Sequence, residues 1–165
     1  MKIPILHLEE GYHHFEDYIK KGSLHFYRDE IYQDDIKVKV EVNKFAKNIS
    51  CKAEISTRMH LTCDRCLEEF DEDFLEVFDI LFHIGQDELN IDEENVVALL
   101  PDQKEIDLTS YIQETLILSI PMKILCRADC KGICPNCGAD LNKEECRCMD
   151  KPIDPRWENL KKLRK

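Results

Sequence analysis

Eight of the nine cysteines fall in close pairs, and that spacing suits a metal ion. Six thiols crowd into the 23 residues from Cys126 to Cys148: Cys126, Cys130, Cys134, Cys137, Cys146 and Cys148. A shorter pair, Cys63 and Cys66, lies far upstream. A structural zinc site takes four soft ligands in a tetrahedron, with Zn–S near 2.3 Å, and two close pairs usually supply them. The most specific signal is Cys134-Pro-Asn-Cys137-Gly. Its two-residue spacer puts both sulfurs on one turn, and the glycine lets backbone amides approach them. Cys146 and Cys148 are the natural second pair. Cys126, Cys130, Cys63 and Cys66 would then form another site, tying a distant turn to the C-terminal segment. Such a link closes a loop of roughly 60 residues, with substantial entropic leverage on the unfolded chain. The rival arrangement is one site from Cys126, Cys130, Cys134 and Cys137. Two structural zinc sites are the expectation. Cys51, the ninth, reads as a small core residue.

Other chemistry finds little support. With eight thiols pairing off, no coordination position stays open for catalysis. The six histidines are scattered, no His-Glu-x-x-His is present, and the five glycines are too dispersed for a phosphate loop. A thiol-redox sensor is a distant third reading, since C-x-x-C pairs can cycle. The expectation is a protein that is not an enzyme.

The 165 residues suffice for one ordinary domain with a small appendage. Apolar residues make up 43% and charged ones 35%, as in soluble globular proteins. No apolar run approaches the roughly 20 residues that cross a bilayer. The N-terminus lacks the apolar core and cleavage site of a secretory signal. A cytoplasmic location follows as the expectation, and there clustered cysteines bind metal more often than they oxidise. The net charge of −11 disfavours broad binding to a phosphate backbone, but it is uneven. Ile84 to Asp107 holds eight acids and one lysine, whereas Arg156 to Lys165 holds five basic residues and one glutamate. That asymmetry suggests a mixed partner such as a ribonucleoprotein.

The elements that must position the thiols read as an α+β fold: an antiparallel, hairpin-built sheet with packing helices and a zinc-binding, Cys-rich C-terminal lobe. The expected domains are 1–121 for the α+β core and 122–165 for the lobe with its basic helix. Ile3 to Leu8 predicts a short strand. Glu9 to Lys21 has helical spacing, with Tyr12, Phe15 and Ile19 on one face and Gly22 as C-cap. Ser23 to Arg28 predicts another strand. Ile36, Val38, Val40 and Val42 alternate with charged residues. After a turn at Lys44 to Asn48, so do Ile49, Cys51, Ala53, Ile55, Met59 and Leu61. Cys63 falls in phase with the inward set. Phe70, Phe74, Phe78, Ile80 and Phe82 recur at even spacing beyond it, placing Cys63-Asp-Arg-Cys66 at the turn of a second hairpin. Gly85 to Glu94 reads as a mobile acidic loop, and Asn95 to Leu100 as a strand. Asp107 predicts the N-cap of a helix from Leu108 to about Ser119 with Leu108, Tyr111, Ile112, Thr115 and Leu116 as its buried stripe. Asp154-Pro155-Arg156 opens a last short helix.

Cys63-Asp-Arg-Cys66-Leu, Cys130-Lys-Gly-Ile-Cys134-Pro-Asn-Cys137-Gly-Ala-Asp-Leu-Asn and Asp154-Pro-Arg-Trp157-x-x-Leu160-x-x-Leu163, in that order, resemble the large ribosomal RNA subunit accumulation protein family (YceD-like). The resemblance covers nearly the whole chain. It implies a role in making or protecting the large ribosomal subunit, in bacteria or plastids, and implies no enzymatic activity. Some members of that family lack most of the C-terminal cysteines, which implies a structural role for that zinc site. The expected function is a non-catalytic ribosome-biogenesis factor that binds large-subunit ribosomal RNA, ribosomal protein or a pre-ribosomal particle, with no membrane or small-molecule substrate. The alternative is a zinc-stabilised protein–protein adaptor without RNA contact. Candidate contact residues are Arg65 on the knuckle and Arg156, Lys161, Lys162, Arg164 and Lys165 on the tail. For Arg65 the competing role is charge compensation of a thiolate-rich site, and for the tail a solvated helix end.

Overall fold

The computed structural model describes residues 1–26, 30–85 and 96–148. Seven strands and one helix follow in order: β1 (Lys2–Pro4), β2 (Gly11–Ile19), β3 (Ile36–Phe45), β4 (Asn48–Thr62), β5 (Glu69–Ile84), β6 (Val96–Leu99), β7 (Glu105–Asp107) and α1 (Thr109–Leu118). β2 to β6 form a five-stranded sheet in sequential order, and β1 pairs with β7 in a two-stranded one. Two compact units result. One comprises Met1–Leu61 with Glu69–Lys123; the other comprises Thr62–Glu68 with the chain from Ile124 onward.

In the first unit, alternation decides the central strands. Ile36, Val38, Val40 and Val42 of β3 are buried, and so are Ile49, Cys51, Ala53, Ile55, Met59 and Leu61 of β4. The two strands pair antiparallel with Val40 opposite Ala53, so the apolar sets share one face. On the other face Lys39 meets Glu54 at 3.3 Å, as expected of a solvated sheet surface. Leu108 at the helix N-cap and Ile112 and Leu116 of α1 are all fully buried. Tyr111 of α1 meets Phe82 of β5 edge-on at 6.3 Å. The hydroxyl of Tyr32 donates to the Leu116 carbonyl at 2.8 Å. The N-cap is Leu108, not Asp107, and α1 begins at Thr109; Asp107 stands one residue before the cap and ties down the helix start. Its carboxylate accepts the Thr109 N–H at 2.9 Å and the Thr109 hydroxyl at 2.5 Å.

Several expectations need correction. Glu9 to Lys21 is not a helix: Gly11–Ile19 is the strand β2, paired antiparallel to β3 along its whole length. Tyr12 is 77% exposed, not part of a buried helical stripe. Tyr12, Phe15 and Ile19 match helical spacing by coincidence, while pairing with β3 satisfies the backbone here. As the strand at the sheet's margin, β2 buries only Ile19, so its two-residue period is weak in the sequence. Gly22, at φ +79°, belongs to a turn. No strand forms at 23–26, and 27–28 lie outside the described residues. β1 stops at Pro4 rather than Leu8. The sheet is also not wholly antiparallel, because β6 runs parallel to β5, with Leu81 opposite Val96 and Ile84 opposite Leu99. Eleven residues separate β5 from β6, close to the roughly one dozen that a parallel return needs. The described residues contain one helix, not several. The acidic loop beyond Gly85 and the final helix from Asp154 lie outside the described residues. Among the described residues no helix is long and apolar enough to cross a membrane.

Candidate metal centres

The second unit is assembled around its cysteines. Two knuckles within it share one hydrogen-bond pattern. In the first, between β4 and β5, the Leu67 N–H donates to the Cys63 carbonyl and the Cys63 N–H to the Glu68 carbonyl, both at 2.9 Å. In the second, the Gly138 N–H donates to the Cys134 carbonyl at 2.9 Å and the Cys134 N–H to the Ala139 carbonyl at 2.8 Å. Each turn carries its two thiols on the same side, and the residue after the second cysteine adopts left-handed backbone. Gly138 does so at φ +75°; Leu67 does so at φ +59°, against the ordinary preference of an L side chain.

The eight thiols fall into two sets. Cys63, Cys66, Cys126 and Cys130 form one, and Cys134, Cys137, Cys146 and Cys148 the other; within each, the sulfurs all lie within 4.8 Å of one another. A tetrahedron with Zn–S near 2.3 Å has S–S edges of about 3.8 Å. The observed separations fit it: 3.8 Å for Cys63–Cys130 and 3.6 Å for Cys66–Cys126. The other set gives 3.4 Å for Cys134–Cys146, 3.8 Å for Cys134–Cys148 and 4.0 Å for Cys137–Cys146. Four soft sulfur donors at such separations match a closed structural site. The rival set of Cys126, Cys130, Cys134 and Cys137 is not brought together. Cys51 stands apart on β4, fully buried, and burial pushes its thiol up to about 12.

Backbone and side-chain bonds hold the first set in place across the sequence. The Asp64 N–H donates to the Ile124 carbonyl at 2.8 Å, and the Ile124 N–H returns to the Asp64 carboxylate at 2.7 Å. The Arg65 carbonyl accepts the Ile133 N–H at 3.0 Å. Gly132 must be glycine here: its φ is +77°, and a Cβ would stand 2.8 Å from that same Arg65 oxygen. Asn142 braces the first set. Its amide nitrogen donates to Cys130 Sγ at 3.4 Å and to Asp140 at 2.9 Å, and its oxygen accepts the Lys131 N–H at 2.8 Å. Lys143 bridges Glu68 at 3.2 Å and Asp140 at 3.4 Å. Sequence reasoning flagged Gly-Ala-Asp-Leu-Asn as a motif but missed the roles of Gly132, Asn142 and Leu67.

Crowded thiols cannot all ionise without a counter-charge. Burial raises Cys63, yet N–H groups of Cys126, Cys66 and Arg65 outweigh it and bring the thiol down to about 6. N–H groups of Cys137 and Asn136, aided by Cys146, bring Cys134 to about 6 as well. Burial and the neighbouring thiols push Cys126 up to about 12. Cys137, then burial, do the same to Cys148. Each set thus holds one thiol that is lowered beside one that is raised, and a divalent cation would supply the counter-charge that crowded thiolates need.

Arg65 is an exposed residue whose guanidinium Nη1 donates to the Cys130 carbonyl at 2.6 Å. It therefore takes part in closing the first set. The tail residues Arg156, Lys161, Lys162, Arg164 and Lys165 lie outside the described residues.

Sheet and helix in one unit, and paired tetrathiol knuckles in the other, define a small α+β protein with two candidate structural metal centres. The chain belongs to the YceD family: the family model described as "Large ribosomal RNA subunit accumulation protein YceD" matches residues 51–164, more than half of the chain. It is 28% identical over 155 residues to the Arabidopsis thaliana protein named "Large ribosomal RNA subunit accumulation protein YCED homolog 1, chloroplastic", a match covering 78% of this chain and 48% of the plant one. It is 30% identical over 135 residues to the Bacillus subtilis protein YlbN, covering 79% and 74%. A Mycobacterium tuberculosis protein matches at 40% over 68 residues, 41% of this chain and 32% of that one. The chain thus spans about half the length of the plant relative. No solved structure matches it.

Proposed function

We propose that this protein is a non-catalytic factor for accumulation of large-subunit ribosomal RNA, working in the cytoplasm by binding that RNA or a pre-ribosomal particle. Two structural zinc ions, one per thiol set, hold its second unit in shape. The observation that carries this reading is the family match over residues 51–164, whose description names large-subunit ribosomal RNA accumulation. The chemistry agrees with it. Both thiol sets are closed donor sets, so the metal supports folding and leaves no position for a reacting water. The basic run from Arg156 to Lys165 offsets the overall charge of −11 and supplies phosphate contacts. Arg65, exposed on its knuckle, is a further cation for phosphate contact.

Depletion in the encoding organism should lower large-subunit ribosomal RNA relative to small-subunit RNA, and crosslinking in growing cells should recover the former. Reversing charge at Lys161, Lys162, Arg164 and Lys165 should weaken that recovery and flatten its salt dependence. Crosslinks to ribosomal protein alone would favour the adaptor. Unchanged RNA levels on depletion would remove the proposal.

A further inference from the structure

We propose that this chain forms a two-fold homodimer by antiparallel pairing of β2 with β2 of a second copy, centred on Phe15. β2 ends the order of the five-stranded sheet, and among the described residues it has a strand partner on one side only. Nine residues, Gly11–Ile19, thus present one row of backbone groups to solvent. Natural edge strands are ordinarily guarded by shortness, proline or charged side chains, lysine above all; β2 is nine residues long without lysine or proline, and its charges, Glu16 and Asp17, are ones that a second copy can match. Tyr12 and Tyr18 on it are 77% and 50% exposed.

The occupant is fixed by the sequence of the strand. Read backwards about Phe15, it is complementary to itself. His14 falls opposite Glu16 of the second copy, His13 opposite Asp17, and Tyr12 opposite Tyr18, each twice by symmetry. Phe15, half-buried here, meets its own copy on the axis. Every acidic residue of the strand therefore faces an imidazole, whose ring N–H can donate a hydrogen bond to it. Register is equally constrained. A continuous sheet with both cores on one side admits only shifts of two residues. A shift one way sets His14 against itself, and the other way sets Glu16 against itself. Of the existing contacts, the one between His13 Nε2 and the Glu9 carbonyl at 2.8 Å leaves Nδ1 to meet Asp17 of the second copy. Glu16 Oε1 holds Lys37 at 2.9 Å, and His14 lies 3.9 Å from Glu41, both across the sheet toward β3. The Tyr18 N–H, now on the Asp17 carboxylate at 2.8 Å, would be released. A single strand pair buries less than a standard interface, so association is reversible and concentration-dependent.

The test uses sedimentation of the full chain over a concentration series, with far-UV circular dichroism to check the fold. The wild type should shift from monomer to dimer as concentration rises. His13→Asp sets carboxylate against carboxylate at two symmetric places and should weaken dimerisation about tenfold. Adding Asp17→Lys to it should restore the wild-type constant. Neither residue belongs to the thiol centres, so the outcome is independent of any RNA role. A wild type that stays monomeric throughout would overturn the proposal. So would a dimer that all three proteins form equally.

Discussion

Leu67 occupies, in the first knuckle, the place that Gly138 holds in the second. Both are left-handed, at φ +59° and +75°, and an L side chain costs about 1–2 kcal/mol there. Leu67 is 63% exposed, so little packing offsets that strain. Leu67→Gly should therefore stabilise the folded protein by up to about 1 kcal/mol, once glycine's larger unfolded freedom is deducted. Gly138→Leu should cost about 1–2 kcal/mol. Thermal melts of the two variants check both signs. Asn142 makes a different kind of contribution, through bonds to Cys130 Sγ and the Lys131 N–H. Asn142→Leu should keep the volume, lose both bonds, and hasten metal transfer to a chelator from the Cys63 set more than from the Cys134 set. A chromogenic chelator followed in time reads the two phases.

At the scale of elements, α1 is the piece whose loss the first unit can least tolerate. Leu116 is fully buried and its carbonyl accepts the Tyr32 hydroxyl. Leu116→Ala should cost about 2–5 kcal/mol by urea denaturation, the usual range for a truncated core leucine. The helix start also carries a pH signature. The Thr109 hydroxyl, against desolvation and with help from its N–H, holds the Asp107 carboxyl below its usual value. A depressed folded value means that the stabilisation is complete above the ordinary carboxylate range and is lost as pH falls below that range and through the depressed folded value. Asp107→Asn should therefore lower stability near neutrality and approach the wild type in acid, which flattens the acid limb of the stability–pH curve. The central strands were legible in the sequence because β3 and β4 bury one face and wet the other, which leaves an unbroken two-residue period. β2 was not, because a strand at the sheet margin buries only Ile19 of nine residues and leaves helical spacing as the stronger signal. The direction of β6 was equally hidden, since pairing sense depends on how the chain returns and not on Val96–Leu99 themselves. The thiol sets were legible because ligand chemistry is written in residue type and spacing. The glycine and asparagine that shape them were not, because close approach of Gly132 to Arg65 is a tertiary fact.

For the molecule as a whole, the two units are held by different physics. The first has a continuous aliphatic and aromatic core. In the second, among the described residues, only Ile124 and Ala139 are buried hydrophobics besides the thiols Cys63, Cys130 and Cys134. So small a core does not outweigh chain entropy alone, and metal ligation at the two thiol sets would supply the difference. Stripping metal should therefore abolish hydrogen-exchange protection at Leu67, Gly138 and Leu141 while Val40 and Ala53 keep theirs. The most direct measurement is zinc per chain, by native mass spectrometry of the reduced protein and of two knuckle variants. Two ions should be found on the wild type, one on Cys63→Ser/Cys66→Ser, and one on Cys134→Ser/Cys137→Ser. A wild type carrying no zinc, or a single ion lost in both variants, would contradict the account.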